Sequence, residues 1–260
     1  MTSPPGRPDA RPPGGVHNRA TMPTDVRCQV ETDGSALVRL TGVLDRAGMT
    51  RVRDALLAWL GDHAGPVVVD LSGLRVTDPA ARTVFTEVRR AVADWPAADL
   101  LICDPAGGWT VDGAPVWSSR DVALAGLPSG GVLTLDLPPA AGSARQAREL
   151  VAAGCARWGL PDLIEPAAIA VTELVNNVVA HALTPMTVRL APGHRLLRLG
   201  VRDHSPRTPR FAGLAPLTST GGRGLLLIDT VARRWGCTPL PEGKLVWAVL
   251  HGEDEDALVG

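Results

Sequence analysis

Glu173-Leu-Val-Asn-Asn-Val-Val-Ala-His-Ala182 is the stretch on which the reading of this chain turns. At the helical period, Val171, Leu174, Val175, Val178, Val179 and Ala182 form one broad apolar face. Glu173 and Asn177 are four apart, so they stand one turn apart on the opposite face, with His181 a further turn along. An ordinary surface helix would carry Lys, Arg or Glu pairs there. This one presents a carboxylate, a neutral amide oxygen and an imidazole in a row. Such a set suits a hard cation held by oxygen ligands with a general base beside it. A polar helix face with incidental Asn residues is the alternative.

Two later stretches bear on the choice. In Arg195-Leu-Leu-Arg-Leu-Gly-Val-Arg-Asp203, the residues Leu197, Leu199, Val201 and Asp203 alternate onto one face of a strand. Asp203 ends that inward apolar row, where an unpaired carboxylate is costly, so it needs a donor. The exocyclic amino group of a base would serve; capping the following turn is the other use for an Asp here. Thr220-Gly-Gly-Arg-Gly224-Leu-Leu-Leu-Ile228 then opens a helix predicted to run to about Trp235. Glycines let the backbone approach a phosphate, and free N–H groups at a helix N-terminus receive it. The stretch is neither G-x-G-x-x-G nor a Walker sequence, and a tight turn alone would also call for glycine.

Taken in order, these stretches resemble the N, G1 and G2 boxes of the histidine-kinase-like (Bergerat) ATPase fold. The resemblance is to the bacterial anti-sigma-factor serine/threonine kinases in particular and covers roughly residues 130 to 250. Gly243-Lys-Leu-Val-Trp-Ala248 is similar to the last strand of that family. The resemblance implies ATP and Mg²⁺ as cofactors, Glu173 as general base and Asn177 as the Mg²⁺ ligand. It also implies that Asp203 holds the adenine amino group and that Gly222 and Gly224 lie against the phosphates, with Arg223 at a phosphate and His181 near the pocket. No helix carries a phosphoacceptor His motif, which argues against a two-component histidine kinase.

The preceding residues alternate strand and helix. Ala36–Leu40 reads as a strand, Gly42–Asp45 as the turn after it, and Thr50–Leu60 as a helix with Val52, Ala55, Leu56 and Trp59 on one side. Pro66–Leu71 is a short apolar run of the kind buried on both faces. Asp78 at the N-cap and Pro79 at the first position start a helix carrying Val84, Phe85 and Val88, and Asp99–Cys103 is a further strand. Gly42–Asp45 and Val67–Thr83 resemble the STAS domain of anti-sigma-factor antagonists. There the phosphorylated Ser matches Ala80 of this chain, which has no hydroxyl. Thr77 and Thr83 lie nearby and are expected to be buried or helix-facing.

The predicted fold class is therefore α/β and α+β: an N-terminal STAS-like α/β domain followed by a Bergerat-type α/β sandwich. Residues 1–24, rich in Pro, Gly and Arg, are expected to be a disordered tail. The STAS-like domain is placed at 25–125, the ATPase domain at 130–252, and an acidic tail at 253–260. In the second domain Leu133–Leu137 is a strand, Ser143 caps a helix through Trp158, and Pro161 starts the helix that carries Glu173. Met186–Leu190, Leu196–Val201 and Lys244–Leu250 are strands.

The formal net charge of −1 offers no general attraction to nucleic acid or an anionic membrane. Of the 26 Lys and Arg residues only Lys244 is Lys. Cys28, Cys103, Cys155 and Cys237 are scattered without C-x-x-C spacing, as fits a reducing compartment. No apolar run is expected to reach the length of a membrane span, so a cytoplasmic, bacterial regulator is expected.

The function implied is an ATP-binding regulatory serine/threonine kinase. It would phosphorylate a separate STAS anti-anti-sigma protein and control transcription by partner switching, with a sigma factor and a homodimer as further associations. The intramolecular STAS-like domain, lacking the acceptor, is expected to act as a docking or inhibitory module, and a substrate-like surface seated on the kinase face would impose basal autoinhibition. The alternatives are a nucleotide-sensing protein-binding regulator without turnover and a scaffold with a vestigial ATP site.

Overall fold

A computed structural model describes residues 28–32, 36–111, 115–126, 131–207 and 223–252. The expected tails at 1–24 and 253–260 lie outside these residues, as does Gly222.

The first sheet follows from the alternating strands and helices. Strands β1 (Cys28–Thr32) and β2 (Leu37–Leu44) are antiparallel. Next come β3 (Val67–Val76), β4 (Leu100–Cys103) and β5 (Val116–Trp117), parallel from β2 onward in the order β1-β2-β3-β4-β5. Parallel neighbours need crossovers, and α1 (Arg46–Asp62) and α2 (Thr83–Val92) supply two of them. Their buried residues Val52, Leu56, Leu60, Val84, Phe85 and Val88 pack on Val38, Leu40, Val67 and Val69. A short helix, α3 (Arg120–Ala125), lays Ala123 on the other face against Leu37, Val68, Leu101 and Cys103.

Three local expectations are corrected here. Gly42–Leu44 is not a turn but the end of β2, because β3 extends to Val76 and keeps pairing with it. Asp45 instead caps α1, its carboxylate accepting from Gly48 N–H at 2.9 Å. Thr77 and Thr83 are exposed, and the Thr83 hydroxyl donates to Ala80 O at 3.0 Å. Asp78 does accept from Ala80 N–H at 2.9 Å, and Pro79 opens a 3₁₀ turn, Pro79–Arg82, before α2.

The second sheet is antiparallel throughout. It comprises β6 (Leu133–Leu137), β7 (Met186–Gly193), β8 (Leu196–Asp203), β9 (Arg234–Leu240) and β10 (Gly243–His251), in the order β6-β7-β8-β10-β9. One face carries α4 (Ser143–Trp158), α5 (Ile164–Asn177) and α6 (Arg223–Val231). Ser143 is the first residue of α4 rather than its N-cap, and its hydroxyl donates to Pro138 O at 2.6 Å. The last helix stops at Val231, short of the expected Trp235. Trp235 lies in β9, where Arg234–Leu240 gains a full ladder along β10 that a longer helix would forfeit. Pro161–Ala182 is, contrary to expectation, long and apolar enough by length and composition to cross a membrane. Its apolar residues Ala167, Ala170, Val171, Leu174 and Val175 are buried against the sheet of this domain.

Period-two alternation assigns the two faces of this sheet. Met186, Val188, Leu190, Leu197, Leu199, Val201, Val246, Ala248 and Leu250 face the helices. The opposite residues, Leu245 and Trp247 together with Leu240, join the core of the N-terminal half beneath α1. Arg189 and Arg202 sit on that same opposite face, 4% and 2% exposed. Arg189 reaches into the C-terminus of α1, donating to the carbonyls of Gly61 at 2.8 Å, Asp62 at 2.6 Å and His63 at 2.9 Å, and more weakly to Leu60 at 3.4 Å. These are carbonyls that a helix end leaves without intrahelical partners, and a cation there also meets the negative end of the helix dipole. Arg234 pairs with Asp94 at 2.6 Å across the same junction.

The STAS-like half therefore covers the back of the second sheet, on the side away from α4, α5 and α6. The expectation that it occupies the kinase face and blocks it is overturned by this placement. An amphipathic sheet buries both faces only if something apolar covers the second one, and α1 does so here.

Candidate active site

Glu173 and Asn177 project from α5 one turn apart, half-buried, as the spacing requires. Neither side chain makes a hydrogen bond or ion pair among the described residues. At Asn177 the regular helix ends and Val178–Ala182 continues as a π turn, closed by Leu183 in the left-handed region at φ 56°. The wider turn takes His181 out of the four-residue register, so it does not continue the row; it is exposed.

The N-terminus of α6 lies over Glu173. A Cβ at Gly224 would stand 2.5 Å from Glu173 Oε2, so glycine lets this helix approach without displacing the carboxylate. Leu225 and Ile228 anchor α6 in the core shared with α5. Arg223 begins α6, and the first N–H groups of a helix have no intrahelical partners.

Asp203 ends β8 on the helix-facing side and is fully buried. Its Oδ1 accepts from Lys244 Nζ at 2.8 Å and from Ser205 N–H at 2.8 Å. Of the two uses foreseen for this residue, capping the following turn is seen, and the donor that the buried carboxylate needs is supplied by Lys244. Its Oδ2, however, is buried without a hydrogen-bond partner among the described residues. A buried carboxylate oxygen left open is an acceptor waiting for a donor.

Lys244 and Ser205 are the residues that motif reading missed. Lys244 is 6% exposed and is paired to Asp203 by strand register, Lys244 facing Asp203 across β10 and β8. Its solitude was the available signal, since a chain that uses Arg everywhere else uses Lys at this one point. The compact ammonium neutralises one carboxylate oxygen without the reach of a guanidinium fork, leaving the other open. Asp203 and Lys244 lie on the helix-facing side of the second sheet, and the helices that cover that side carry Glu173, Asn177 and Gly224. Cys237, next to this pair on β9, has its thiol pushed up to about 11 by burial, with Asp203 adding to the rise and Lys244 opposing it.

The family described as histidine kinase-like ATPase domain matches residues 137–250. The STAS domain family matches residues 28–94. Residues 137–250 belong to the histidine-kinase-like ATPase family, and a STAS domain is fused before them. An uncharacterized protein of Streptomyces coelicolor is 44% identical over 88 residues, which cover 32% of this chain and 82% of the relative. Among solved structures, the RsbU and RsbW domains of a Mycobacterium tuberculosis protein align with TM-score 0.36 and 18% identity, covering 47% of this chain and 32% of that one. The ATPase-family match spans every site residue described above, from Glu173 to Lys244.

Proposed function

We propose that this chain is an ATP-binding regulatory serine/threonine kinase of the anti-sigma-factor type, acting in the cytoplasm on protein partners. The observation that carries this reading is the unpartnered, buried Oδ2 of Asp203, on the sheet face covered by the helix whose half-buried Glu173 carboxylate is set against Gly224 at the start of α6. An adenine amino group offers the N–H that Oδ2 lacks, and the first turn of α6 offers N–H groups to phosphate oxygens.

The residues then divide the work. Asp203, held by Lys244 and Ser205, reads the base. Gly222, Gly224 and Arg223 lie along the phosphates, with His181 at the rim. Glu173 accepts the proton of the attacking hydroxyl as the terminal phosphoryl group passes to that oxygen and ADP leaves. The amide oxygen of Asn177 would hold a Mg²⁺ ion, which would supply charge neutralisation to the phosphates. The acceptor hydroxyl belongs to a separate STAS protein carrying Ser where this chain has Ala80. A sigma factor and a second copy of the chain are the further partners of this reading.

Glu173→Gln is expected to lower phosphotransfer to a STAS substrate roughly 10²–10⁴-fold while ATP affinity stays within a factor of about 3. Radiolabel transfer and calorimetric titration measure the two quantities. The exposed, hydroxyl-free Ala80 favours one second reading, a nucleotide sensor without turnover. Under it, Glu173→Gln would leave every nucleotide-dependent partner interaction intact. Asp203→Asn should weaken ATP binding roughly tenfold or more in both cases, and an unaltered titration would remove both.

A further inference from the structure

Asp203 is held from both faces of its sheet. On the helix side its carboxylate meets Lys244 and Ser205. On the STAS side its backbone carbonyl accepts from Arg202 Nη1. The Nε of the same guanidinium donates to Asp62 Oδ1 at 3.1 Å, and Asp62 is the last residue of α1 in the STAS domain. Arg202 is 2% exposed, so its orientation is set by these two acceptors and by its close packing. Gly243, at φ 111°, closes the place: a Cβ there would lie 2.1 Å from Asp203 O and 2.7 Å from Arg202 Nη1. The peptide that ends β8 has little room to rotate independently of Arg202.

We propose that Asp62 and Arg202 are positioning residues through which the STAS domain sets the aim of the Asp203 carboxylate, and with it the base selectivity of the nucleotide pocket. The STAS domain then acts on the ATPase domain from behind, through a carboxylate–guanidinium–carbonyl relay. The proposal rests on the reading of Asp203 Oδ2 as the acceptor for a 6-amino group. A 6-oxopurine presents an acceptor there and should be rejected, because two acceptors would face each other in a buried place.

The test is a competition between ATP and inosine triphosphate on the full chain, read as the ratio of their dissociation constants. Wild type is expected to prefer ATP by roughly tenfold or more, one buried hydrogen bond to a charged group. Asp62→Ala should shrink that preference to within about twofold. Asp62→Asn keeps an oxygen acceptor for Arg202 Nε and should restore most of it. Asp94→Ala breaks the other interdomain pair, with Arg234, and should leave the ratio at the wild-type value. Full discrimination retained in Asp62→Ala, or lost equally in Asp94→Ala, would overturn the relay. Should Asp62→Ala prove insoluble, Arg202→Lys carries the same test, since it keeps the buried charge but cannot reach both acceptors with a fork. Equal affinity of wild type for the two nucleotides would instead overturn the base-reading role of Asp203 itself.

Discussion

Replacing Lys244 by Met is expected to abolish ATP binding and to lower folding stability by about 3–5 kcal/mol. The side chain is of similar length, so little volume is lost and the effect isolates the charge. Asp203 would be left 0% exposed with one N–H donor for its two oxygens. A carboxylate in that position either takes up a proton or forces the turn at Ser205 to open. Either outcome removes the acceptor that reads the base. Denaturant unfolding gives the stability term and calorimetry the binding term. A Met variant that folds normally and still binds ATP would overturn the role of Lys244 in holding Asp203. The double variant Lys244→Met with Asp203→Asn should recover much of the stability but not the binding, because it removes both halves of the pair.

Deleting residues 1–125 is expected to leave the ATPase domain aggregated rather than activated. The deletion bares Leu240, Leu245 and Trp247 on the back of the sheet and strands Arg189 and Arg202, which are buried in the intact chain. An uncovered apolar sheet face of this kind marks an aggregation surface. In the full chain, Arg189→Ala removes the donor to four consecutive carbonyls at the end of α1 and should cost about 3–5 kcal/mol. Size-exclusion chromatography of the deletion and thermal unfolding of Arg189→Ala check the two effects. A soluble, monodisperse deletion with raised phosphotransfer would reinstate inhibition by the STAS domain.

Both results differ from what a degenerate STAS domain suggests when read by itself. Without a phosphoacceptor, such a domain invites the idea of a pseudosubstrate seated on the kinase. The structure gives it a different place, because Arg189, Arg202, Leu245 and Trp247 alternate with the residues that face the helices. Exposure of Ala80 at the start of the 3₁₀ turn leaves that end of the STAS domain open to protein partners.

Local periodicity was enough to identify most of the elements. The 3.6-residue spacing of Val171, Leu174, Val175 and Val178 set the buried face of α5 and therefore the outward pairing of Glu173 with Asn177. The two-residue alternation ending at Asp203 placed its carboxylate inward before any fold was known. The composition of Gly221–Gly224 marked a close backbone approach to a phosphate; the approach that the structure shows is that of Gly224 to Glu173. Those properties were legible because each depends on neighbours a few residues away.

What tertiary structure decided depends on residues far apart in the chain. Lys244 meets Asp203 across 41 residues, because the register of β10 on β8 sets them opposite each other. Asp62 meets Arg202 across 140, because α1 covers the back of a sheet to which it does not belong. The strand β9 replaced the end of a predicted helix because an edge ladder was available to satisfy its backbone. The π turn after Asn177 moved His181 out of line where the helix meets its left-handed stop at Leu183. Sequence by itself determined which side chains face inward and which chemistry they could supply; only the packing of the two sheets decided which of them hold Asp203, since pairing and burial over such separations are settled by register and surface fit and not by local pattern.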